Sequence, residues 1–91
     1  MTTDELVAKV IAALKDQDID TLEVLNEHHR LVTQDYVGTL IFETYSVALN
    51  DETRDIRYVQ SVYCVLDEGD FKGDAYEVSP VTVLRTEYRR K

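Results

Sequence analysis

Arg54, Arg57, Arg85, Arg89, Arg90 and Lys91 fall in two short stretches of a chain whose eighteen acidic side chains are spread along most of its length. A guanidinium presents several donors in a planar fork suited to phosphate or carboxylate. Tyr58 and Tyr88, each next to an arginine, offer rings against which a flat group can stack. If the two stretches are neighbours in the fold, Arg54, Arg57, Arg85 and Arg89 with Tyr58 and Tyr88 form a basic island for an anionic, nucleotide-like ligand. The plainer alternative is that these arginines pair with Asp51, Glu52, Asp55 and Glu87 as surface ion pairs of small energetic weight.

Asp67, Glu68, Asp70 and Asp74, with Gly69 and Gly73 among them, form an acidic segment between two β-rich runs. Such a loop can imitate a row of phosphates and occupy a partner's basic groove. It can equally be a solvated turn that keeps one sheet end soluble. Asp16, Asp18, Asp20 and Glu27 stand at positions one, three, five and twelve of a calcium-loop pattern. Thr21 stands where that loop needs glycine and Glu23 where it needs an apolar residue, so the segment reads as an acidic turn opening a helix, where carboxylates favour the dipole. His28 and His29 are adjacent, point about 100° apart on a helix and cannot share a metal. Cys64 lies in a strand-like run, where a thiol behaves as a small hydrophobe. Phosphate loops, dinucleotide fingerprints, nucleophile elbows and zinc spacings are absent from the sequence, so the reading is of a non-enzyme without a cofactor.

The elements that must position these residues follow from the pattern. Thr2 and Glu5 have capping-box spacing ahead of Leu6, Val7, Val10, Ile11 and Leu14, which predicts a helix over 3–15. Asp20 and Glu23 precede Leu22, Leu25 and Val32, which predicts a second helix over 21–31. Three runs rich in β-branched and aromatic residues follow, at 39–49, 56–66 and 75–88, separated by turns at 50–55 and 67–74. Short links between consecutive strands favour antiparallel hairpins. The expected fold is α+β, with two N-terminal helices packed on a three-stranded antiparallel meander (ααβββ). Pro80 lacks an amide hydrogen and so places the third strand at an edge or at a break.

Pairing Leu49 with Ile56 would put Ile41, Tyr45, Val47, Tyr58, Val62 and Cys64 on the face that receives the helices. The other face would carry Phe42, Val59, Tyr63 and Val65. It is half apolar, which points to an interface between copies of this chain. The same pairing brings Arg54 and Arg57 to the sheet end where Arg85 and Arg89 lie.

Ninety-one residues, a hydrophobic content of 44% and few Gly or Pro describe one folded domain, 1–91. A net charge of −8 disfavours a nucleic-acid backbone and anionic membranes as direct partners. A single cysteine builds no internal disulfide, and no basic leader or apolar span is visible, so a cytoplasmic protein is expected.

The segment from Tyr76 through Val78, Pro80 and Val81 to Tyr88 resembles the C-terminal strand of small uncharacterised phage and prophage accessory proteins, in which an extended Val-x-Pro-Val segment often ends the chain. The resemblance covers about thirteen residues and brings no site residue with it. It implies a binding role, since such proteins include antagonists of host defence that sequester a signalling nucleotide or block a protein surface. The expected partners are therefore an anionic small molecule or a host protein, together with further copies of the chain.

Overall fold

Thr2 starts the first helix as its spacing with Glu5 predicts. In the computed structural model, which describes residues 1–64, 73–82 and 86–90, the Thr2 hydroxyl accepts from the Glu5 amide at 3.2 Å and donates to the Glu5 carboxylate at 3.3 Å. Helix α1 (Thr3–Asp16) buries Leu6, Val7, Val10, Ala13 and Leu14 along one stripe. It ends at Gln17, whose left-handed backbone (φ 52°) lets the Gln17 and Asp18 amides donate to the carbonyls of Leu14 and Ala13. Asp18 then caps α2 (Ile19–Val24), accepting from the Thr21 amide at 3.2 Å and the Thr21 hydroxyl at 2.6 Å. These bonds hold the Asp18 carboxyl below its ordinary range.

The second helix is shorter than the expected 21–31, and the capping residue is Asp18 rather than Asp20. The chain turns after Leu25, with the His28 amide on the Leu25 carbonyl at 2.9 Å. From His29 it is extended. Leu31, Val32, Thr33, Tyr36 and Val37 fit a pleated surface better than a helix, and Gly38 at φ 62° opens a two-residue turn that brings the chain back against itself. Strand β1 (His29–Val37) thus pairs with β2 (Leu40–Val47), followed by β3 (Arg57–Cys64), β4 (Asp74–Thr82) and β5 (Thr86–Arg90). The α+β class and the antiparallel meander are as expected, but the sheet has five strands in the order β1-β2-β3-β4-β5 rather than three. The expected run 75–88 is divided between β4 and β5, but not at Pro80: pairing of β3 with β4 ends at Tyr58 and Val78, and beyond that point, among the described residues, β4 pairs with β5 alone, so Pro80, opposite Tyr88, has a free edge on its β3 side.

The register between β2 and β3 also differs. Val47 stands opposite Arg57 and Tyr45 opposite Val59, one residue away from the pairing of Leu49 with Ile56. A one-residue slip exchanges the faces of a whole strand. Val59, not Tyr58, therefore joins Leu6, Val7, Val10, Leu14, Leu25, Val47 and Ala75 in the core between helices and sheet. Each of the buried valines and leucines contributes about 1.5–3 kcal/mol, and the Ala75 methyl roughly 0.8 kcal/mol. Tyr58, Val62 and Cys64 turn to the opposite side. The four residues expected as a joint interface do not share a face: Val59 is fully buried under the helices, Tyr63 lies on the helix-facing side, Phe42 lies on the other, and Val65 is outside the described residues.

The smallest dimension of the molecule is 19 Å, close to one sheet plus one helix layer. The helices cover one side of the sheet; among the described residues no helix covers the other, open side, although Thr44 and Val78 on it are almost fully buried. No helix among the described residues is long and apolar enough to cross a membrane.

Candidate functional site

On the open side the strands align a row of polar groups. Thr44 on β2 stands opposite Gln60 on β3, and Gln60 opposite Tyr76 on β4. The Tyr76 hydroxyl donates to Gln60 Oε1 at 2.9 Å, and Gln60 Nε2 to Thr44 Oγ1 at 3.4 Å. Burial pushes the Tyr76 phenol up, while the nearby Arg90 charge pulls the other way and Asp74 adds to the rise. The Arg90 guanidinium lies 4.5 Å from the centroid of the Tyr76 ring, a cation on an aromatic face.

A second row runs from Ser46 through Tyr58 and Val78 to Arg90. Val78 is almost completely buried although it points away from the helices. At this corner the Tyr58 and Tyr88 rings meet at 5.3 Å, tilted by 51°. Three tyrosines and an exposed arginine therefore converge where β3, β4 and β5 run side by side. Among the described residues no carboxylate pairs with Arg90. The corner offers aromatic faces for a planar group and a guanidinium for an anion next to them.

The expected island is only partly assembled. Tyr58 and Tyr88 come together as required. Arg57 does not join them, because alternation along β3 turns it to the helix-facing side, where its Nε and Nη2 donate to the two Glu77 oxygens at 2.7 Å and its Nη1 donates to Asp4 at 2.8 Å. These bonds raise the already high Arg57 pKa further, Glu77 contributing most. Arg57 ties α1 to β3 and β4; its acidic partners are Asp4 and Glu77, not the turn carboxylates considered from sequence. Arg54 is exposed in the loop at 48–56. Arg89 has its backbone opposite Ser79, and Arg85 lies outside the described residues. The sequence shows Arg90 as one of the clustered charges but does not mark it or Tyr76 as site residues. The available signal is the period of two that joins Tyr76 to Val78 and Tyr88 to Arg90, and it is informative only once β4 and β5 are known to pair.

Of the acidic segment, Asp67, Glu68 and Asp70 lie outside the described residues. Asp74 opens β4, accepts from the Ala75 amide at 2.8 Å and lies 3.8 Å from Lys15. The histidines sit in the turn and at the start of β1 rather than on a helix. His29 Nδ1 lies 2.8 Å from the Leu25 carbonyl and its ring 5.7 Å from that of Tyr45, while His28 Nδ1 is buried without a hydrogen-bond partner among the described residues. Cys64 ends β3, half-buried and opposite Leu40. On the helix-facing side, a cleft of 510 Å³ opens beside Leu14, Leu22, Tyr45 and Tyr63, with Glu43 at its wall. Burial, reinforced by the Glu43 charge, pushes the Tyr45 phenol to about 12 and raises that of Tyr63. Gln34 Nε2 donates to Glu43 at 3.1 Å. That carboxylate makes the cleft a poor host for an anion.

No family model, no curated protein and no solved structure matches this chain.

Proposed function

We propose that the chain is a small non-enzymatic binding protein that holds an anionic, nucleotide-like ligand on the open side of its sheet. The single observation that carries this reading is the placement of Arg90 over Tyr76 next to the Tyr58–Tyr88 pair. A base or other flat ring would lie on the tyrosines, while a phosphate or carboxylate would meet the guanidinium of Arg90. Arg54, exposed in the loop at 48–56, remains a candidate for a further charge contact, whereas alternation along β5 places Arg89 off the face that carries Tyr88 and Arg90. In a phage setting, as the resemblance of residues 76–88 implies, such a protein would serve as a counter-defence factor by sequestering a signalling nucleotide.

The test is an equilibrium titration with mononucleotides and cyclic oligonucleotides. Removing a charge-assisted contact with Arg90→Ala weakens binding by about 10- to 100-fold, and Tyr88→Ala has a similar effect through lost stacking. Unchanged binding by folded variants overturns the assignment.

A second reading rests on the net charge of −8 and the exposed Asp74 at the end of the acidic segment. In it the chain is an acidic inhibitor that sets Asp67, Glu68, Asp70 and Asp74 in a basic groove of a host protein. Amide substitution of these four residues abolishes groove binding in this second reading and leaves nucleotide binding intact in the first.

A further inference from the structure

Strand β1 is the outermost of the sheet, and among the described residues it pairs with β2 alone. Its other edge therefore presents unpaired backbone donors and acceptors over nine residues. Natural sheets usually guard such an edge with lysine, proline or a very short strand. Charged side chains and bulges serve the same purpose; here the edge has no lysine or proline and carries one bulge and two charges of opposite sign, Arg30 and Asp35, while it exposes Leu31, Val32, Tyr36 and Val37, two of them by more than 60%. The strand is also locally neutral within an acidic chain, since its only formal charges are Arg30 and Asp35.

One irregularity decides what this edge fits. The pairing with β2 shifts between Leu31 and Thr33, so one residue is bulged out of the ladder. In an unbroken strand, residues five apart point to opposite faces. Because of the bulge, Arg30 (opposite Ser46) and Asp35 (opposite Phe42) share the open side, while Leu31 with Gln34 and His29 with Tyr36 share the helix-facing side. A second, antiparallel copy of β1 with its twofold axis between Val32 and Thr33 would set Arg30 against Asp35, Leu31 against Gln34 and His29 against Tyr36. Every one of these cross-strand partners then lies on a common face, and the Arg30–Asp35 pair occurs twice.

We infer that β1 is a self-complementary dimerisation edge, through which two copies of this chain join their sheets antiparallel with Arg30 of each facing Asp35 of the other. Arg30 already meets Asp51 at 3.1 Å, but both are strongly exposed, and the guanidinium fork has donors for a second carboxylate. Strand pairing alone buries less than the roughly 1,000 Å² expected of a tight interface, so the association is concentration-dependent and in the micromolar range. This edge is distinct from the tyrosine corner at the β5 side.

Sedimentation velocity of the full chain over a concentration series tests the inference. The wild type is expected to shift from monomer to dimer. Asp35→Arg sets two like-charge pairs in place of two attractive ones and weakens the dimer by about tenfold or more. Arg30→Asp does the same, and the doubly exchanged Arg30→Asp/Asp35→Arg variant recovers the dimer. A wild type that stays monomeric up to about 0.5 mM overturns the inference. So does a dimer indifferent to both single changes, or a double variant, folded by circular dichroism, that does not recover. Dimerisation through the open sheet face would appear as the second or third of these results, and an edge that takes only a foreign strand as the first.

Discussion

Arg57 and Glu77 form a two-pronged ion pair, both bonds at 2.7 Å, across the strands that carry the tyrosine corner on their opposite side. Val59 stands directly opposite Glu77, so the pair lies diagonally across β3 and β4 at the edge of the core. It holds the two strands in the register that places Tyr58 next to Val78.

Removing one partner leaves the other partly desolvated. Arg57→Ala is expected to destabilise the fold by about 1–3 kcal/mol, and Arg57→Lys to recover only part of this, because an ammonium cannot reproduce the planar fork. Asp4→Asn costs less than about 1 kcal/mol, since Asp4 is strongly exposed. Urea denaturation of the three variants gives the ranking.

Gln17 ends α1 with a left-handed backbone that glycine adopts without a side-chain penalty. Gln17→Gly should stabilise the domain by about 0.5–1 kcal/mol, read as a raised denaturation midpoint with an unchanged slope. A loss of stability would mean that the Gln17 side chain contributes more than the backbone strain costs.

Tyr45 gives a prediction at high pH. Its folded pKa of about 12 lies above the ordinary tyrosine value of 10.0. Between these values the unfolded chain has released the proton and the folded chain retains it, so stability falls as pH rises through this window. The contribution is fully present below pH 10 and lost above about 12. Phenolate absorbance should show Tyr45 titrating late in the folded protein and at the ordinary position in urea. Tyr45→Phe should remove that late component.

Much of the fold is legible in the sequence, and what is not has identifiable physical causes. The Thr2–Glu5 box and the apolar spacing behind it give α1 almost to the residue. The β1 strand is hidden because Leu22, Leu25 and Val32 also satisfy a helical period, while the decisive signal, Gly38 in a two-residue turn, lies outside that window. The face assignments depend on register, and a slip of one residue moves Val59 from a presumed interface into the core. For the same reason Arg57 is visible as a charge but not as the partner of Glu77, twenty residues away. Tyr58 and Tyr88 meet as expected but by another route: Tyr88 lies on β5, which folds back on β4, and not at the end of a third strand paired directly with β3.

Native mass spectrometry of the purified chain with mononucleotides and cyclic oligonucleotides tests the central claim most directly. The account predicts a nucleotide retained by the wild type and lost from a folded Tyr88→Ala/Arg90→Ala variant. Retention by that variant equal to the wild type, or no nucleotide retained by the wild type, would contradict it.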